Sequence, residues 1–95
     1  MKFSFMVGVQ EHHRIDFSFD QFVGNLEIAV DGQPVTKDFR MFSLKLTKRY
    51  EFTVGNQEQH HIAIEKKRKL FLAGFRPQQY RVFIDSQLVQ TYEGG

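Results

Sequence analysis

Apolar residues alternate with polar ones along almost the whole chain, and this period of two limits the fold more than any other feature of the sequence. Phe3, Phe5, Val7 and Val9 share one parity, as do Ile15, Phe17 and Phe19, against Arg14, Asp16 and Ser18 on the other. The same holds for Leu26, Ile28 and Val30, for Phe42, Leu44 and Leu46, and for Tyr50, Phe52 and Val54. It continues through Ile62 and Ile64, Leu70 and Leu72, and Tyr80, Val82 and Ile84. Successive side chains of a strand point to opposite faces, so each run predicts a strand with one buried side. A helical period fits none of these windows as well.

Turn residues divide the runs. Asp31-Gly32 is a type I′ hairpin signal, and Asp85-Ser86 stands in the equivalent place later in the chain. Gly24-Asn25, Gly55-Asn56 and residues 74–77 supply other breaks, while Gly8 reads as a bulge or a close approach of backbone. The runs number about eight or nine, the pattern of an all-β, compact antiparallel β-sandwich. Ninety-five residues suit one domain, expected to span residues 1–95.

The two hairpins also echo each other, EIAVDGQPV at 27–35 and RVFIDSQLV at 81–89. Setting Ile15 against Ile62 brings His13 opposite His60 and Phe17 opposite Ile64, with a connection seven residues longer in the second half. This predicts an internal duplication with pseudo-twofold symmetry.

Composition removes several function classes. The chain has no cysteine, hence no disulfide, no thiolate metal site and no cysteine nucleophile. No stretch approaches the roughly 20 apolar residues of a membrane helix, and MKFSFMVGV reads as a first strand rather than a signal peptide, so a cytoplasmic location is expected. A formal charge of +2 is too small to imply nucleic acid by itself.

With these positions in hand, the chain resembles the Fas apoptotic inhibitory molecule family. The resemblance rests on His13-x-Ile15-x-Phe17, Val30-Asp31-Gly32, Met41-Phe42-x-Leu44, Phe52-x-Val54-Gly55, and Tyr80 through Ile84-Asp85 with a closing Tyr92, in that order. It implies an antiparallel sandwich and a non-enzymatic role in regulating cell death or protein aggregation. The chain departs from the family pattern in having one such domain, its own strand beginning at Met1, and Ser86 where a glycine is usual. The family offers no catalytic motif to transfer.

Two features carry chemistry. The pairs His12-His13 and His60-His61 are possible metal or small-ligand donors, with His13 and His60 the ones that duplication would bring together. Neighbours on a strand diverge, however, so a pair does not chelate alone, and both histidines also fit the rim of a core. The second feature is residues 65–81. There Lys66, Lys67, Arg68 and Lys69 precede Phe71, Phe75 and Arg76, a mixture suited to an acidic protein surface or to single-stranded nucleic acid. If this segment binds, its cations should lie outside the core; the same residues also suit a solvated turn that protects an edge hairpin. No nucleophile elbow or phosphate loop is present. The reading is therefore a protein-binding module without cofactor or catalysis, with nucleic-acid binding through 66–76 and a ligand or metal site at His13 and His60 as alternatives.

Overall fold

Each alternating run that can be followed forms a strand. The computed structural model describes residues 1–20, 25–35, 40–44, 47–67 and 78–94, and among these there are nine strands and no helix. In chain order they are β1 (Lys2–Val7), β2 (His13–Asp20), β3 (Asn25–Val30), β4 (Gln33–Pro34), β5 (Arg40–Leu44), β6 (Thr47–Val54), β7 (His60–Lys67), β8 (Gln78–Ile84) and β9 (Gln87–Gly94). Every pairing is antiparallel, and each sheet is a simple meander: β1-β2-β3-β4 in one, β5-β6-β7-β8-β9 in the other. This is the all-β sandwich that the alternation predicts.

The inward parity of β1, β2, β3, β6, β7 and β8 builds one core. Phe3, Val7, Ile15, Phe17 and Ile28 come from the first sheet, and Tyr50, Phe52, Val54, Ile62, Ile64, Tyr80 and Val82 from the second. Aromatic rings pack within and between the layers: Phe3 stacks on Phe17 of its own sheet at 4.7 Å and on Tyr92 of the other at 4.1 Å, while Tyr80 meets Phe17 edge-on across the layers at 5.4 Å. Such pairs add to the area they bury, and they anchor β1 over β9. Burial pushes the Tyr80 hydroxyl up to about 12. Val9 breaks the parity rule. Strand β1 ends at Val7, Gly8 takes φ +105°, and Val9 is left 76% exposed rather than in the core.

The duplication is present and begins earlier than the echo suggested. Val7 pairs with His13 as Val54 pairs with His60, and Phe3 pairs with Phe17 as Tyr50 pairs with Ile64. Ile15 pairs with Val30 as Ile62 pairs with Ile84. The span from Ile15 to Val30 is 15 residues and that from Ile62 to Ile84 is 22, so the second half is seven residues longer there. Strands β1 to β4 therefore correspond to β6 to β9, and the strand starting near Met1 is part of the repeat rather than an addition to it. Both hairpins are of the expected kind: Asp31 and Gly32 have φ +51° and +81°, Asp85 and Ser86 +51° and +70°. Strand β5 alone has no counterpart among the described residues.

Candidate functional site

The loops that follow β1 and β6 are the same local structure used twice. Each strand ends in a glycine at strongly positive φ, Gly8 at +105° and Gly55 at +101°. A Cβ on either would overlap the carbonyl oxygen of the residue three places on, Glu11 or Glu58, so only glycine lets the chain turn this tightly. The turn aims three consecutive backbone N–H groups into one concavity, a nest suited to an anion.

Each nest is filled by a carboxylate from the other half. Glu58 accepts from the N–H groups of Val9 (2.8 Å), Gln10 (2.6 Å) and Glu11 (3.1 Å). Glu11 accepts from those of Asn56 (2.7 Å), Gln57 (2.9 Å) and Glu58 (3.5 Å). The two loops thus clasp each other reciprocally, which ties the two sheets together at one end of the sandwich.

The histidines extend the clasp to the hairpins. His13 bonds Glu11 through Nε2 and Asp31 through Nδ1, at 2.5 and 2.6 Å. His60 does the same with Glu58 and Asp85, at the same distances. A ring with an acceptor at each nitrogen donates twice only as imidazolium, so this geometry holds the cation. Each aspartate also accepts a backbone N–H across the strand pair, Asp31 from Arg14 at 2.8 Å and Asp85 from His61 at 2.9 Å.

The charge states follow from these contacts. The His13 contact, then the N–H groups of Gln57 and Asn56, lower the Glu11 carboxyl from 4.5 to about 2. The His60 contact, then the N–H groups of Val9, Gln10 and Glu11, lower Glu58 to about 2 as well. His13 is raised above 6.5 by Glu11 and then Asp31, and His60 by Glu58 and then Asp85, with desolvation opposing in both. Asp31 is lowered mainly by the Arg14 N–H and Asp85 mainly by His60.

The histidine pairs divide as strand geometry requires. His13 and His60 are half-buried in the clasp, whereas His12 is exposed and His61 turns to the outer face to bond Glu51 at 2.7 Å. Among the described residues, no group of three or more histidine, aspartate or glutamate side chains is arranged to hold a metal ion.

The basic segment lies only partly within the described residues. Arg68, Lys69, Phe71, Phe75 and Arg76 lie outside the described residues. Lys67 is exposed, but Lys66 departs from the expectation that these cations face water. It is 7% exposed, with its ammonium 3.4 Å from the centroid of the Phe19 ring. Lys66 continues the inward parity of Ile62 and Ile64, and its place in β7 corresponds to that of Phe19 in β2. Two equivalent positions of the repeat thus meet as cation and ring.

The pairing of Glu11 and Glu58 with His13 and His60 was missed by reasoning from the histidines alone, although the signal stands in the sequence. FSFMVGVQEHHRI at 3–15 aligns with YEFTVGNQEQHHI at 50–62, matching the glycine, the Gln-Glu pair and the following histidine. Comparison with protein-family models, with curated proteins and with solved structures found no match to the chain.

Proposed function

We propose that the protein is a non-enzymatic β-sandwich module that works by binding a protein partner. The observation that carries this reading is the closure of the clasp. Glu11, Glu58, Asp31 and Asp85 hold His13, His60 and eight backbone N–H groups, and both ring nitrogens of His13 and His60 are engaged. A general base needs a free lone pair within reach of substrate, and an imidazolium fixed between two carboxylates offers none. The clasp is a structural fastening, and it leaves the sandwich edges and outer faces as the parts available for recognition.

Apolar side chains on those surfaces support the same reading. Met6 is 60% exposed, Leu88 54% and Val89 48%, on the edge strands β1 and β9 that stack on each other. The resemblance to the Fas apoptotic inhibitory molecule family points to the same class of function. Among the described residues, no helix is long and apolar enough to cross a membrane.

The test is affinity capture with the intact chain, followed by purification of each captured protein and a direct titration against the wild-type chain and a His13→Gln, His60→Gln variant. The module reading predicts a saturable partner whose affinity survives the histidine changes in proportion to folded protein. A turnover activity abolished by those changes in a folded variant would refute it.

A further inference from the structure

The two hairpins of the repeat differ at one turn position, and the difference changes what their aspartates can undergo. Asp31 and Asp85 hold the same place at φ +51°, but Gly32 follows the first and Ser86 the second. A main-chain nitrogen can attack the side-chain carboxyl of the residue before it, and glycine hinders that attack least because it has no Cβ beside its own nitrogen. Apart from its chain neighbours, nothing lies within 4 Å of the place a Gly32 Cβ would take. The Asp31 side chain is 49% exposed, so water reaches it.

Two contacts with β2 hold Asp31 back. Its Oδ1 accepts the Arg14 N–H at 2.8 Å, and its Oδ2 pairs with His13 Nδ1 at 2.6 Å. Ring closure has to swing Cγ onto the Gly32 nitrogen, and two bonds to a neighbouring strand oppose that rotation. The Arg14 N–H and then His13 also keep the carboxyl ionised, which makes it the poorer acceptor because its oxygen must leave as water. The Arg14 guanidinium is engaged with Asp16 at 3.0 Å, so the charges facing Asp31 are His13 and, beyond it, Glu11. His13 in turn faces Glu11 and Asp31.

We propose that Asp31-Gly32 is a modification site for isoaspartate formation, and that the His13 contact guards it. The Gly32 nitrogen bonds to Asp31 Cγ, and one carboxyl oxygen departs as water with the nitrogen's proton and a proton from solvent, leaving a cyclic imide. Water then adds to the Asp31 main-chain carbonyl carbon, and the bond from that carbon to nitrogen breaks. The chain now runs through Cγ, and the former main-chain carbonyl becomes a carboxylate that returns the solvent proton. One water leaves and one enters, with no change of oxidation state. The product lengthens the main chain within a tight turn and removes the carboxylate from His13, so the first hairpin loses its tie to the clasp. The site belongs to the chain itself and is independent of any partner.

The guard has a pH dependence of its own. As imidazolium, His13 donates to Glu11 and Asp31 together. Once neutral it keeps one N–H and turns a lone pair toward one of the two carboxylates. Asp31 is the one released, being 49% exposed against 25% for Glu11, which the Asn56 and Gln57 N–H groups hold as well.

The test incubates the full chain near physiological temperature and maps peptides by chromatography, which separates an isoaspartyl peptide from its aspartyl parent of equal mass. Wild-type protein should convert at residue 31 at least about tenfold more slowly than a synthetic peptide of residues 27–35. His13→Ala should speed conversion at least about threefold, whereas His60→Ala, which loosens the clasp equally but leaves the His13 contact, should stay within about twofold of wild type. Adding Gly32→Ser, the residue of the second hairpin, to His13→Ala should slow it again. The wild-type rate should rise as pH passes through the His13 titration, followed by NMR of its ring, and the His13→Ala rate should not. Conversion as fast as in the peptide, equal acceleration by the two histidine variants, or a wild-type rate that does not rise as His13 loses its proton would overturn the proposal. Should the His13→Ala amide spectrum lose its dispersion, the wild-type pH profile decides by itself.

Discussion

Replacing Gly55 by alanine tests whether the clasp loop has the tightness that the reciprocal arrangement requires, and Gly32→Ala supplies the control. Both glycines sit at positive φ, +101° and +81°, so both substitutions incur backbone strain of about 1 kcal/mol or more. They differ in what the new methyl meets. At Gly32 nothing lies within 4 Å, and strain is the whole cost. At Gly55 the Cβ would overlap the Glu58 carbonyl oxygen, which is backbone and cannot rotate away. The loop must shift, adding about 1–3 kcal/mol for the overpacking and withdrawing the Asn56 and Gln57 N–H groups from Glu11. Gly55→Ala should therefore cost about 3 kcal/mol or more against about 1 for Gly32→Ala. In urea, with a slope of about 1 kcal/mol per molar for a chain of this size, the midpoints should fall by about 3 M and 1 M. Equal midpoints for the two variants would show that the loop has room and that the nest is not closed on Glu11.

The other predictions read off single residues or pH. Ser86 holds φ +70° in the second hairpin, so Ser86→Gly should stabilise by about 0.5–1 kcal/mol in thermal denaturation. Lys66→Ser should destabilise by about 1–2 kcal/mol through loss of its stem packing and its contact with Phe19, while the exposed Lys67→Ser stays within about 0.5. The clasp also gives stability a pH window. Glu11 and Glu58 have folded values lowered to about 2, so their contribution is whole above about 4.5 and is lost as pH falls toward 2. His13 and His60 have raised folded values, so theirs is whole below about 6.5 and is lost as pH rises through the folded value. Denaturation midpoints across pH should be highest between these limits, and His13→Gln with His60→Gln should flatten the alkaline side.

What the sequence revealed and what it hid have separate physical causes. Strand positions were legible because one-sided burial writes itself as parity, and the hairpins because Asp31-Gly32 and Asp85-Ser86 must supply two positive φ values in succession. Parity also placed Lys66 inward with Ile62 and Ile64; reading the residue as one of four adjacent cations set that signal aside. Val9 shows the opposite error, an alternation carried past the Gly8 turn that ends the strand. The clasp was hard to see because its contacts join residues 45 to 49 positions apart, and no local period encodes them. Asp31 and Asp85 were legible as turn residues, but their grip on His13 and His60 appears only once the hairpin register is known.

The central claim is that two equivalent loops lock the sandwich by exchanging carboxylates, and a pH titration by NMR tests it most directly. Following the side-chain carboxyl carbons of Glu11 and Glu58 together with the amides of residues 9–11 and 56–58 reads each carboxylate and its nest in one experiment. Both carboxyls should titrate near 2, and the Gln10 and Gln57 amides should move with the glutamate of the opposite half. Carboxyl midpoints near 4.5, with those amides indifferent to them, would contradict the account.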